Sequence, residues 1–236
     1  CLLFFIVISL SIILYLSLFS KNDYDLDASE KDLKAFNGSG LANSNFYIRE
    51  FVIPTPASKP IGITVDSSGM IWFAETRLAK IGKFDPFNET FEEYDIPVKD
   101  PAKNAPEVWG MIFDSNDNLW FTDSNNNAIW KFSPENQEFK KYGIPTENAF
   151  PVQIAIDSKG IIWFTEVYGN NLGKLDPEEL KSGKSAEIIE LQPPGSLELL
   201  GGLAIDENDD IWFPMLTYPI MGKLVKYDNS ISEFEV

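Results

Sequence analysis

Three carboxylates recur at one offset from an aromatic pair: Ala74-Glu75 after Trp72-Phe73, Thr122-Asp123 after Trp120-Phe121, and Thr165-Glu166 after Trp163-Phe164. A fourth pair, Trp212-Phe213, is followed instead by Pro214-Met215. Asn and Gly stand close behind (Asn125, Asn126 and Asn127; Gly169, Asn170 and Asn171). Oxygen donors converging on one face are what a hard divalent cation takes, so Glu75, Asp123 and Glu166 are candidate ligands for Mg2+ or Ca2+. The other reading is that each carboxylate caps its own loop. A second set of positions varies between units: Ile61-Gly62, Trp109-Gly110, Val152-Gln153 and Gly201-Gly202. Small and aromatic residues there suit an apolar pocket, with Trp109 as a ligand platform and Gln153 as a polar handle. The chain contains no histidine. That excludes Ser-His-Asp and Cys-His catalysis and His-based proton transfer within this sequence. It also carries no phosphate loop, dinucleotide fingerprint or thiolate metal site.

What must position these residues is a repeat. An aspartate precedes each Trp-Phe pair by six residues (Asp66, Asp114, Asp157, Asp206), and successive tryptophans lie 48, 43 and 49 residues apart. Each unit reads as an apolar run ending at the Asp, a polar turn, the Trp-Phe strand, a Lys/Gly strand, and an alternating outer strand such as Phe91 to Pro97. Four short strands in ~45 residues predict a β-propeller blade. The expected fold is all-β, with four recognisable blades at about 55–97, 98–145, 146–194 and 195–236. The turn Asp can accept backbone N–H groups of its hairpin. Trp and Phe, adjacent on a strand, point to opposite faces, so one blade packs on both neighbours. Tyr47 to Pro54 reads as a fifth outer strand against four inner triplets, which predicts an N-terminal fragment of a larger ring.

Residues 1–20 carry no charged side chain and are mostly Leu, Ile, Phe and Val. They predict a transmembrane anchor long enough to cross a ~30 Å hydrocarbon core, or a signal segment that is removed. A polar linker follows at 21–45, and the propeller repeats occupy 46–236. The expected location is single-pass in a membrane with the propeller outside the cytoplasm, or secreted if the segment is cleaved. A net charge of −17 makes nucleic acid a poor partner, because phosphate binding needs clustered Lys and Arg. The expected partners are the membrane, through residues 1–20, and a small-molecule or peptide ligand at the channel mouth. Cys1 is the one cysteine, so no intramolecular disulfide can form.

The pattern Asp66-x-x-Gly69-x-Ile-Trp-Phe-Ala-Glu75, Lys80-Ile-Gly-Lys-Phe-Asp-Pro86 and Phe91-x-x-Tyr-x-Ile-Pro97 resembles virginiamycin B lyase, also called streptogramin lyase. The third unit repeats it in Pro151 to Asp157, Ile162 to Glu166 and Leu172 to Pro177. The resemblance covers about residues 46–236. It implies a seven-bladed ring that linearises a cyclic depsipeptide by elimination, using a histidine base and a Mg2+ held by acidic residues. No histidine occupies the matching positions here, so the resemblance transfers no catalytic residue to this chain. Two other functions fit the same residues: a non-catalytic binding propeller for a peptide, glycan or small molecule, and a metal-dependent lactonase-like hydrolase. Histidine at an inner-strand start in any further blades would favour the lyase. Binding of a divalent ion would favour the lactonase.

Overall fold

Each blade is organised around one short hydrogen-bonded circuit. In the first unit, Asp66 Oδ1 accepts the backbone N–H groups of Ser68 (2.9 Å) and Met70 (3.0 Å), while Oδ2 accepts the Trp72 indole N–H at 2.8 Å. Asp114, Asp157 and Asp206 accept the indoles of Trp120, Trp163 and Trp212 at 2.9, 3.0 and 2.8 Å. The lysine paired across the next strand lies over each indole: Lys83, Lys131 and Lys174 at 5.6 Å, and Lys223 at 4.9 Å. The recurring Asp, Trp and Lys are therefore one unit. The six-residue offset exists because a tight turn brings the indole back onto the aspartate.

The computed structural model describes residues 49–177, 187–194, 199–217, 219–225 and 230–235. The chain divides into residues 1–52 and 53–236, and all the sheets lie in the second unit. Four four-stranded antiparallel sheets form there in chain order. The first holds β1 (Pro60–Val65), β2 (Ile71–Glu75), β3 (Lys80–Asp85) and β4 (Thr90–Asp95). A helical turn, α1 (Pro101–Asn104), leads to β5 (Met111–Phe113), β6 (Leu119–Asp123), β7 (Ala128–Ser133) and β8 (Glu138–Gly143). The third sheet is β9 (Pro151–Ile156), β10 (Ile162–Glu166), β11 (Asn171–Leu175) and β12 (Ile189–Leu191). The fourth is β13 (Ala204–Ile205), β14 (Ile211–Met215), β15 (Ile220–Val225) and β16 (Ser230–Glu235). First strands of successive sheets touch, β1 to β5, β5 to β9 and β9 to β13, as inner strands of neighbouring propeller blades do.

The core lies in the seams between blades. Trp72 packs with Leu119, Phe121 and Phe132 between blades 1 and 2. Trp120 packs with Ile154, Ile162 and Phe164 between blades 2 and 3, and Trp163 with Ile211 and Phe213 between blades 3 and 4. The alternation expected of each Trp-Phe pair is what the strands show. In blades 1, 3 and 4 the Phe ring crosses a facing glycine, as in Phe73↔Gly82, Phe164↔Gly173 and Phe213↔Gly222. Blade 2 has Trp130 there, stacked on Phe121 at 6.2 Å and 3°.

Polar stitches cross the seams at their rims. The Ser67 hydroxyl donates to Asp117 at 2.6 Å between blades 1 and 2, and Ser158 donates to Asp209 between blades 3 and 4. The seam between blades 2 and 3 has Gly160 at the corresponding position. A second polar contact repeats in blades 1 and 3, where the backbone N–H and hydroxyl of Thr55 donate to Glu93 and those of Thr146 donate to Glu190.

Residues 49–54, within the expected fifth outer strand, are assigned to no strand. None of the four sheets includes them. The predicted anchor at 1–20, the linker at 21–45 and Tyr47-Ile48 lie outside the described residues. Among the described residues, no helix is long and apolar enough to cross a membrane.

Candidate functional site

The inner strand of each blade starts on one face of the ring, and the second strand ends there. Glu75 pairs with Pro60 and Glu166 with Pro151, while Ser124, next to Asp123, donates its N–H to the Glu107 carbonyl. The expected common face for the carboxylates and the variable positions is therefore present. The direction of the carboxylates is another matter. A residue two places after the Phe of a pair shares its side of the strand, so Glu75, Asp123 and Glu166 turn with Phe73, Phe121 and Phe164. All three are fully buried.

Their surroundings differ. Asp123 has both oxygens occupied, by the Asn126 backbone N–H (3.0 Å), the Asn126 amide (2.9 Å) and the Trp130 indole (2.9 Å). It caps its own loop. Glu166 accepts from the Asn171 amide through Oε2 at 3.0 Å, and its Oε1 has no partner. Neither oxygen of Glu75 meets a donor at bonding geometry, although the Ser58 hydroxyl and the Glu93 carboxylate stand close enough to act on its titration. Burial pushes both carboxyls up to about 7 from the ordinary 4.5, helped by the Glu93 charge at Glu75 and by Glu190 at Glu166, with the Lys80 charge opposing at Glu75 and the Asn171 hydrogen bond at Glu166. Among the described residues, no three Asp, Glu, His or Cys side chains gather closely enough to hold a metal ion. Glu75, Asp123 and Glu166 belong to separate blades and do not fit a shared Mg2+ or Ca2+.

A raised carboxyl pKa makes stability pH-dependent in a definite sense. The folded chain binds the Glu75 proton more tightly than the unfolded chain, so stability falls as pH rises from about 4.5 toward about 7. Glu75→Gln is expected to remove its share of that loss. After allowance for solvent screening this is on the order of 1–2 kcal/mol above about pH 7. Urea melts of both proteins across this range check it, and parallel profiles would contradict it.

The variable positions behave as a surface. Trp109 is 42% exposed and Gln153 is exposed. Trp109 and Gly110 lead into β5, and the part of β9 that carries Gln153 lies against Gly110. A Cβ there would stand 2.6 Å from the Val152 carbonyl oxygen and 3.1 Å from the Ile154 nitrogen, so only glycine lets the strands come this close. The approach is locked by Thr122, whose hydroxyl accepts the Gly110 N–H (3.0 Å) and donates to the Val152 carbonyl (3.1 Å). Thr165 does the same from Gln153 to Gly201. The small residue between Trp-Phe and the carboxylate is thus a seam bolt in two blades.

Sequence reading missed two aromatic residues on this face. Tyr168 is 57% exposed and its ring lies 4.7 Å from that of Phe150. Phe150 has φ 56°, a left-handed conformation that Lys59 shares (φ 52°) at the same place before β1, so this turn belongs to the repeat. A signal for Tyr168 did exist. Two residues after each carboxylate stand Arg77, Asn125 and Tyr168, a position as variable as that of Trp109. Nothing local marked Phe150.

The sequence model of the virginiamycin B lyase family matches residues 40–236. The selenomethionine-substituted virginiamycin B lyase of Staphylococcus aureus is 28% identical, with TM-score 0.69 over 80% of this chain and 59% of that one. A streptogramin B lyase structure is 30% identical, with TM-score 0.69 over 80% and 58%. A catalytically inactive histidine-to-alanine form of the S. aureus enzyme with quinupristin is 26% identical, with TM-score 0.70 over 82% and 61%. The chain spans about three fifths of the length of these lyases. The extracellular domain of a putative one-component system from B. thetaiotaomicron, 17% identical with TM-score 0.58 over 75% and 24%, shares the fold alone. No curated protein matches the sequence.

Proposed function

The chain belongs to the virginiamycin B lyase family, and from that premise we propose that it binds a cyclic depsipeptide or a similar peptide across the face where its inner strands begin. The observation that carries this is exposed Trp109, held beside Gln153 by a glycine contact no other residue permits. The Phe150–Tyr168 pair adds a second aromatic patch on the same face. Aromatic planes suit the apolar side chains of such a ring, and Gln153 offers both a donor and an acceptor to its amide or ester groups. The relative with quinupristin bound supports this ligand class. We further propose that residues 1–20 hold the propeller at a membrane, outside the cytoplasm.

Opening the ring by elimination is the second reading, favoured by the family. It requires a base beside the acidic C–H. This chain has no histidine, and its carboxyls nearest neutrality, Glu75 and Glu166, are buried and turned away from the exposed aromatics. Binding is therefore the stronger reading for these residues. The lactonase-like reading needs a cation at the channel, and the described carboxylates do not make one.

Calorimetric titration with quinupristin tests the proposal. The protein is expected to bind it, and Trp109→Ala to weaken binding at least about tenfold, roughly 1.4 kcal/mol, with its melting temperature unchanged. Absence of binding by the unsubstituted protein, or binding unaffected by Trp109→Ala, would sink it. Mass analysis of the incubated ligand separates the readings: elimination leaves an isobaric linear product, hydrolysis adds a water, and binding alone changes nothing.

A further inference from the structure

The turns joining first and second strands lie on the ring face opposite the exposed aromatics, and there one seam differs from its neighbours. The Ser67 N–H and hydroxyl donate to the two carboxylate oxygens of Asp117, at 3.3 and 2.6 Å, and Ser158 grips Asp209 in the same way. Ser115 holds that place in blade 2, one residue after its turn aspartate, but the position that should answer it is Gly160. Among the described residues, neither the N–H nor the hydroxyl of Ser115 meets an acceptor. A Cβ on Gly160 would meet nothing within 4 Å, so the space that Asp117 and Asp209 fill in the other two seams stays open.

Charge changes at the same seam. In blade 1, Lys83 faces Glu92 across the strands at 3.4 Å, and Glu92 also accepts the Tyr94 hydroxyl at 2.7 Å. In blade 2 the facing pair is Lys131 and Lys140, like charges directly opposite and therefore unfavourable. The matching Tyr142, more than nine-tenths buried, has lost the acceptor that Glu92 gives Tyr94, and its hydroxyl has no partner. These side chains, with Lys159 and Gly160, line a cavity of about 930 Å3, against about 580 Å3 for its counterpart between blades 1 and 2. Lys131 and Lys140 rest on the rings of Trp120 and Tyr142, and among the described residues none of the three lysines forms an ion pair. The acids of the cavity are engaged, Asp114 by its own hairpin and Glu138 by the Asn136 amide at 3.1 Å. We infer that this cavity binds a small di- or tricarboxylate. One carboxylate takes the Ser115 fork in place of the missing aspartate, and the remaining charge neutralises Lys131 and Lys140. A carboxylate is the group this fork is built for, since the same chain closes it on one in two other seams, and the volume exceeds what a lone inorganic ion fills.

Calorimetric titration of the full chain with citrate, at neutral pH and low ionic strength, is the test, and one citrate per chain is expected. Gly160→Asp supplies the absent stitch. Asp117 and Asp209 hold positive φ at that position (54° and 62°), as Gly160 does (80°), so this variant is expected to fold, to melt above the parent and to bind no citrate. Lys140→Glu restores the blade 1 pairing and is expected to weaken binding at least about tenfold. Lys140 is exposed, so that variant decides the matter should Gly160→Asp not fold. Lys83→Gln, in blade 1, is expected to leave binding unchanged. No saturable heat beyond that of sodium chloride at equal ionic strength would overturn the inference. So would citrate binding that survives Gly160→Asp or Lys140→Glu undiminished, or inorganic phosphate binding more tightly than citrate.

Discussion

Replacing Trp120 by alanine is expected to lower the unfolding free energy by about 3–5 kcal/mol. This indole is fully buried between blades 2 and 3 against Ile154, Ile162 and Phe164, and it stacks on Tyr142 at 5.7 Å. Its removal opens a cavity that rigid neighbouring sheets cannot fill, and it also takes a donor from Asp114. Burial works to raise the Asp114 pKa, but the Trp120 indole and the donors of Asn118 and Asn116 outweigh it and hold the carboxyl below its ordinary value. That stabilisation is present above the ordinary aspartate range and is lost as pH falls through the lowered pKa. The alanine variant should therefore show a weaker acid dependence as well as an earlier urea midpoint. Trp120→Phe restores bulk without the N–H and should recover most of the loss. An alanine variant melting with the parent protein would contradict the seam assignment.

Gly173→Ala is expected to cost about 3 kcal/mol, the upper end for overpacking. The added methyl would stand 2.0 Å from the ring of Phe164, which is itself fully buried and closed in by the seam. The ring cannot turn aside without opening the contact with Trp120. Gly143→Ala is the matched control. Gly143 ends the outer strand β8, and nothing lies within 4 Å of the position a methyl would take, so its effect should stay within about 0.5 kcal/mol. Equal urea midpoints for the two variants would refute the claim that Phe164 requires glycine opposite it. Blade 2 shows the permitted exception, because Phe121 there lies parallel to Trp130 and leaves its facing position open.

The repeat made the four sheets legible because blade parts follow one another in the chain. The Asp to Trp spacing pointed to a turn. That the indole bonds to the aspartate was not legible, since it depends on how far the hairpin twists before Trp72 or Trp120 returns. The face carrying Glu75, Asp123 and Glu166 followed from strand order, and so did Trp109 and Gln153. Which way the carboxylates turn was available in principle, since each lies two residues beyond a Phe whose side was already assigned. The seam stitches were not. Ser67 and Asp117 are 50 residues apart and Ser158 and Asp209 are 51 apart, distances at which only the packing of whole blades decides who meets. Phe150 could be connected with Tyr168 only through the contact of their rings, which no local pattern announces.

The Asp–Trp–Lys circuit closes entirely within one blade, whereas each serine-to-aspartate stitch takes one residue from either side of a seam. Gene duplication therefore copies the first intact but cannot copy the second without both parents. A newly inserted blade would arrive able to fold its own hairpins yet with unmatched rims. Selection would then fit each joint separately. The joint between blades 2 and 3, where Gly160 stands in place of the aspartate that its neighbours pair with serine, is the kind of difference such a history leaves.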